Sequence, residues 1–445
     1  MTTTHTAPQV LIVGGGIGGI GAALMLGRRG IRVHLLEREP AFAEGGFGLQ
    51  LGPNITRMLR DEGVLEDIAP NAVFPRRLVF RNAVSGEELN HLDCEDMERR
   101  YGSRYLVMHR GDLLEGLVRA ALATGNVTLE NDRKVVRVED RADGVAAITE
   151  DGSRYEAQIV LGADGMHSRM RRLFVDDALQ PTGFVAYRGT IPIDAVDPDL
   201  DLESVTVWMG PGLHLVQYPL RDAKEFNQVA VFESPAHARG ELDWGKPEEL
   251  LERFSSETGL HPSVVRAPRE LGMARGWPMV DRDPLDTYVQ GRVALLGDAA
   301  HATLQYLAQG AGQSLLDGAS LAAHLAPLAD SETWTPAQVQ AALGAYDEER
   351  VAAASRVQTA SRAWGEMWHV RSAGAVMVRD HAWRSHDRFD YDIVDWLYGP
   401  VRTEGIVAAA DGSATSPGSA AAPSAEATPV VRPRDLHPTP VTTRK

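Results

Sequence analysis

The stretch GDAAHATLQYLAQGAG, residues 297–312, sets Asp298, His301 and Gln305 into a segment otherwise made of small and apolar residues. It follows the apolar run Val293–Leu296, which reads as a buried strand stopped by Gly297. An aspartate just past a strand end either caps the next helix or holds a ligand. Upstream, LHLVQYP (213–219) alternates as a strand does, so His214, Val216 and Tyr218 fall on one face. An imidazole and a phenol can therefore share one pocket wall. His301 reads as a loop-stabilising residue.

Gly14, Gly16 and Gly19 form a GxGxxG pattern directly after the apolar run Val10–Val13. The first glycine permits the turn, the second lets backbone approach a pyrophosphate, and the third lets helix pack on strand. The phosphate would then meet the amides of a helix N-terminus. Glu37, followed by Arg38, closes the second strand twenty-three residues after Gly14, where a carboxylate can accept from ribose hydroxyls. The pattern predicts dinucleotide binding through Gly14, Gly16, Gly19, Glu37 and Arg38.

The elements that must position these groups alternate at first. Val10–Val13, a helix-compatible segment and Arg32–Leu36 make a βαβ unit. AQIVLG (157–162) and RVALL (292–296) are two further buried-strand candidates, ending at Gly162–Asp164 and Gly297–Asp298. Between them SVTVW, LHLVQY and QVAVF alternate and are joined by turn residues such as Gly210, Pro211 and Gly212, the pattern of an antiparallel sheet. Thr335 and Pro336 then mark the start of a long helix. From about 405 onward alanine, serine, threonine and proline dominate, and disorder is expected.

Composition excludes several classes. The 445 residues carry 45 basic and 61 acidic side chains, a formal charge of −16, which gives a nucleic-acid face little support. The single cysteine, Cys94, excludes an internal disulfide framework and suits a reducing compartment. Residues 10–27 are uncharged, yet their seven glycines and the absence of lysine or arginine before them argue against a signal or a membrane span. A cytoplasmic protein is expected. His381, His386, Asp387, Asp390, Asp392 and Asp395 lack the paired spacing of a zinc or calcium site, so no metal is expected.

A nicotinamide dehydrogenase would continue its parallel sheet, whereas this chain leaves for an antiparallel sheet and returns twice, which suits FAD. Over roughly residues 8–400 the chain resembles the single-component (group A) flavoprotein aromatic hydroxylases. GADGMHSRMRR matches their DGxxSxxR through Asp164, Gly165, Ser168 and Arg171; Gly297 and Asp298 match their GD motif; VMHRGDLL places Arg110 where they contact FAD. Ala302 and Gln305 stand where the family commonly has proline. Within the family, GLQLGPN (48–54), HLVQYPLR (214–221), LQYLA (304–308) and DWLYG (395–399) resemble the 3-hydroxybenzoate 6-hydroxylases, which make gentisate.

The resemblance implies an α/β fold in which a Rossmann-like FAD-binding domain (1–77, 106–180 and 276–335) interleaves with a substrate-binding sheet domain (78–105 and 181–275). A C-terminal helical region (336–404) and a disordered tail (405–445) follow. It implies tightly bound FAD, NADH or NADPH and O2 as co-substrates, activation of oxygen at flavin C4a, a small aromatic acid substrate and a homodimer. Arg110, Asp164, Gly297 and Asp298 become FAD contacts. His214 becomes the candidate base, since an ordinary imidazole pKa of about 6.5 suits it to take a phenolic proton. Gln305 would bond the same oxygen from the flavin side; Tyr218, Tyr105 and Arg188 are candidate substrate contacts. Salicylate or hydroxynicotinate-type rings, another flavin chemistry such as an oxidase or epoxidase, and a non-catalytic flavin-binding sensor are the alternatives. The absence of a WxWxIP stretch argues against a tryptophan-type halogenase.

Overall fold

Short apolar runs separated by glycine turns build the first sheet. The computed structural model describes residues 8–400 apart from Glu44, Ala142, Asp143, Pro198 and Gly272, Met273 and Ala274; the tail expected at 405–445 lies outside the described residues. Six strands stand in the order Val289–Gln290, Val293–Leu295, Ile159–Gly162, Val10–Val13, Val33–Leu36 and Val127–Glu130, all parallel except the first pair. Register decides where function can sit. Val13 lies opposite both Leu36 and Gly162, and Gly162 lies opposite Leu295. The glycine turn, Glu37, Asp164 and Gly297–Asp298 therefore leave the sheet at one carboxyl edge, where open α/β sheets bind ligands.

Ten of the twelve residues of helix Ile17–Arg28 are buried, because it is enclosed by this sheet and helix Gly310–Leu325. An enclosed helix is apolar all round, which is why residues 10–27 look superficially like a membrane span. Among the described residues, no helix is long and apolar enough to cross a membrane.

The second sheet has seven strands, in the order Gly276–Asp281, Gln180–Pro192, Glu225–Glu233, Leu213–Leu220, Val205–Gly210, Arg77–Asn82 and Glu88–Asp93. The boundary expected at 276 falls differently here: Gly276–Asp281 pairs with Gln180–Pro192, as an edge strand of this sheet. Every residue of Leu213–Leu220 is buried. Leu213 and Leu215 pack with Phe232, Phe254 and Val264 on one face, while Val216 and Tyr218 join Trp368, Trp383 and Tyr398 on the other. Both faces are thus covered, and the alternation survives as a choice between two cores.

Helix Pro336–Trp368 links the two sheets. Thr335 caps it through a capping box with Gln338, worth about 1 kcal/mol. Tyr346 then donates to the Leu295 carbonyl (2.7 Å), Gln358 to that of Ala302 (3.0 Å), and Arg362 pairs with Asp281 (2.6 Å) on the second sheet. Helices Ala373–Ser385 and Asp392–Tyr398 complete the cover. Asp395 there accepts from Arg100 and Tyr101, tying this helix to the segment around Tyr101, while Asp387, Asp390 and Asp392 are exposed.

Candidate active site

The glycine turn is shaped by contacts that admit no side chain. Gly14 has φ +113°, and a Cβ there would lie 2.2 Å from the Ala163 carbonyl oxygen. One on Gly19 would lie 1.9 Å from that of Gly14. No side chain caps helix Ile17–Arg28 at Gly16, which leaves its first amides for a ligand. Glu37 closes this turn from the next strand, accepting from the amides of Gly15 and Glu39. Arg38 is not brought to the site; it pairs at the surface with Glu39.

Asp164 accepts from the Ser168 hydroxyl and from the amides of Arg169 (2.7 Å) and Met170 (3.3 Å), so its carboxylate shapes the turn that Gly165 opens. Arg171, buried, clamps that turn to the other motif by donating to the carbonyls of Ala300 (2.7 Å) and Ala299 (3.2 Å). Beneath Gly297 lies Asp317, also buried, accepting from the Gly297 amide (2.8 Å), His301 Nε2 (2.6 Å) and Arg350 Nε (2.8 Å). Burial pushes the Asp317 carboxyl up, but the charges of His301 and Arg350 outweigh it and hold the group at about 2. His301 thus stabilises the loop, while Asp298 faces the cavity.

That cavity, of about 570 Å³, runs from Gly16 and Gly18 past Asp298 and Arg110 to His214 and Trp368 beneath the second sheet. Arg188 enters it from strand Gln180–Pro192. Burial and the positive charge of Arg110 lower its guanidinium to about 10. No carboxylate pairs with Arg188 among the described residues, and its Nε is buried without a hydrogen-bond partner. Its Nη2 donates to the side-chain oxygen of Gln305. Tyr105 donates to Gln50 (2.7 Å), and Tyr218 lines the same wall, burial raising both phenols above their ordinary range.

His214 is where expectation and structure part. It lines the cavity, but it is buried, and burial, then His369 and Arg188, depress its basicity well below the ordinary imidazole value. It does not hold a proton near neutrality as an exposed imidazole would. Its Nδ1 lies 2.7 Å from Nε2 of His369, itself pushed down to about 3 by burial and Arg379.

Comparison with known proteins matches the chain to one family. A family described as "FAD binding domain" matches residues 7–361. The chain is 34% identical over 394 residues to 3-hydroxybenzoate 6-hydroxylase of Polaromonas naphthalenivorans (strain CJ2), covering 88% of this chain and 95% of the relative. It is also 34% identical over 404 residues to 3-amino-4-hydroxybenzoate 2-monooxygenase of Streptomyces cremeus, covering 91% and 97%. The chain belongs to the single-component FAD-dependent aromatic hydroxylases. In fold, the hydroxylase is similar to Klebsiella pneumoniae HpxO complexed with FAD and uric acid: TM-score 0.76, 24% identity, 90% of this chain and 100% of that one.

The hydroxylase is a flavoprotein monooxygenase that uses FAD, NAD(P)H and dioxygen. Its residues fit the cofactor on their own evidence: a cradle at Gly14 that a Cβ would fill, an uncapped helix N-terminus, and a continuous cavity. Gly14, Gly16, Gly18, Arg110 and Asp298 would hold FAD there. The structure also places around the cavities residues that the sequence pattern did not single out. Gln50 lies in the quoted GLQLGPN stretch. His369 follows the end of a helix, and its only signal is spatial, a partner 155 residues away. Trp368 and Trp383 both line the cavity with indole N–H groups that lack partners.

Proposed function

We propose that the hydroxylase inserts one oxygen para to the hydroxyl of a phenolic aromatic acid, converting 3-hydroxybenzoate to 2,5-dihydroxybenzoate (gentisate). The observation that carries this reading is Arg188: a guanidinium without a carboxylate among the described residues, its buried Nε–H unbonded, in a cavity walled mainly by apolar side chains around His214 and Trp368. Such a charge is costly to bury alone, so an anionic ligand stabilises it. Bound FAD, reduced by NAD(P)H, supplies the redox and oxygen chemistry. The protein's part is to hold the carboxylate at Arg188, oriented by Gln305, to exclude water with its apolar walls, and to draw the phenolic proton toward His214 Nε2. In a dihydroxylated product the new hydroxyl stands opposite the first. We assign the reaction to the cytoplasm.

A second reading rests on the unpartnered indole N–H groups of Trp368 and Trp383. They suit a larger aromatic acid that presents a further acceptor at the end of the cavity away from Gly16. One experiment separates the readings: NADH oxidation across 3-hydroxybenzoate, salicylate, hydroxynicotinates and bicyclic phenolic acids, with products identified by mass and retention. Tight coupling with 3-hydroxybenzoate supports the first reading, and a bicyclic acid as the sole coupled substrate supports the second. Peroxide release with no hydroxylated product from any of them excludes both.

A further inference from the structure

His214 and His369 stand between two cavities. His214 lines the large one. His369 lines a second, of about 500 Å³, whose walls include Glu233, Glu366, Arg362 and Arg371. Glu366 and Arg371 are exposed, so this second cavity opens to solvent. Tyr306 forms part of both, and its ring packs against His214, Trp368 and His369 at centroid distances of 5.5, 5.9 and 5.4 Å. The two imidazoles stack at 5.0 Å and 25°, joined nitrogen to nitrogen. Phe184 covers the outer face of His369 at 4.4 Å, which fixes the ring in line.

This arrangement answers a difficulty that His214 alone leaves open. A phenol has an ordinary pKa of about 10, and a buried imidazole of depressed basicity cannot store its proton. It can pass one, because an imidazole accepts at one nitrogen while it donates from the other. We propose that His369 is the second carrier of a two-imidazole proton wire, conducting the substrate's phenolic proton from His214 to the solvent-facing cavity beside Glu233 and Glu366.

The transfer balances. The phenolic O–H breaks and an Nε2–H forms on His214; the Nδ1–H of His214 breaks and an Nε2–H forms on His369; the Nδ1–H of His369 leaves to water. Both rings begin and end neutral, with their tautomers exchanged. When the ring of the product regains its hydroxyl, a proton travels inward along the same bonds and restores both tautomers.

The inference rests on the phenolic-acid reading, and its test is distinguishable from that reading's own. With the FAD-loaded enzyme, mixing with 3-hydroxybenzoate in weak buffer should release a proton, read by a pH indicator, as a phenolate absorbance band grows. His369→Gln keeps a hydrogen bond but carries no proton; FAD and substrate affinity should hold, and release should slow by about 10²-fold or more. His369→Ala should regain the fast phase when free imidazole is added. Wild-type enzyme in H2O–D2O mixtures should give a curved rate dependence, since more than one proton is in flight. Wild-type release speed in His369→Gln, absence of imidazole rescue in an alanine variant that binds both ligands, a straight isotope line, or no release at all overturns the wire. Failure of every phenolic acid to stimulate NADH oxidation instead overturns the substrate reading.

Discussion

The side-chain oxygen of Gln305 accepts a hydrogen bond from the Arg188 guanidinium, across 117 residues of sequence. The glutamine where the family commonly has proline is thereby committed to orienting a cation, and its carbonyl oxygen leaves that cation's charge unneutralised. Gln305→Glu should neutralise it with an internal ion pair. KM for an aromatic acid should rise at least about tenfold, the scale of a charge-assisted hydrogen bond, with FAD content unchanged. Steady-state kinetics alongside the flavin spectrum reads both.

Arg188→Met removes the guanidinium and keeps much of the apolar stem. We expect KM for 3-hydroxybenzoate to rise by about 10- to 150-fold, corresponding to about 1.5–3 kcal/mol for a hydrogen bond to a charge. A phenol lacking a carboxylate should bind both forms alike. Equal losses for the two ligands would remove the carboxylate contact from the reading.

His214→Ala should retain FAD and substrate-stimulated NADH oxidation while product formation falls by about 10²- to 10⁴-fold. The electrons should then appear as hydrogen peroxide. Product and peroxide measured against NADH consumed give the answer, and full coupling in the variant would end the assignment of His214 as the group that takes the phenolic proton.

Gly14→Ala places a methyl group 2.2 Å from a backbone carbonyl oxygen at a φ of +113°. Backbone must shift, and the pyrophosphate cradle shifts with it. The purified variant should be colourless or nearly so, with secondary structure by circular dichroism close to wild type. A yellow variant of ordinary affinity would contradict the placement of FAD at this turn.

Asp317 is held at about 2 in the folded protein, below its ordinary value of 3.8. A depressed carboxyl stabilises the fold above its unfolded pKa, and that contribution, on the order of 2 kcal/mol, is lost as pH falls through the folded value. Asp317→Asn should cost about 3–5 kcal/mol near neutrality, because Arg350 is left buried without its partner. The gap between wild type and variant should narrow as pH drops from about 4 to about 2. Urea titrations across that range measure it.

What could be read from the sequence followed from local rules. Gly14 and Gly19 are required by a turn, Thr335 and Pro336 by a helix start, and the alternation His214–Val216–Tyr218 by a strand; each is decided by neighbours a few residues away. Asp164 and Asp298 were marked by two apolar runs that each end in glycine and aspartate, and Glu37 by closing the second strand of the βαβ unit. The rest depends on distant contacts. Nothing near His369 announces that it meets His214, and Gln305 gives no sign of Arg188. The boundary drawn at 276 put Gly276–Asp281 with the FAD-binding domain, and only its pairing with the distant strand Gln180–Pro192 assigns it to the other sheet. The basicity expected of His214 failed for the same reason: burial is set by the Trp368, Tyr306 and Phe184 rings around the pair, from elements far apart in the chain.

Helix Pro336–Trp368 spans about 50 Å at 1.5 Å per residue. It is bolted about a third of the way along, at Tyr346, to the parallel sheet at Leu295, about two thirds along, at Gln358, to the loop at Ala302, and one turn further, at Arg362, to Asp281 in the other sheet. A rod fastened to both sheets ties together the halves it joins. Neither layer can detach while the other persists, so calorimetry should record a single endotherm, and a break midway along the rod should release both halves together.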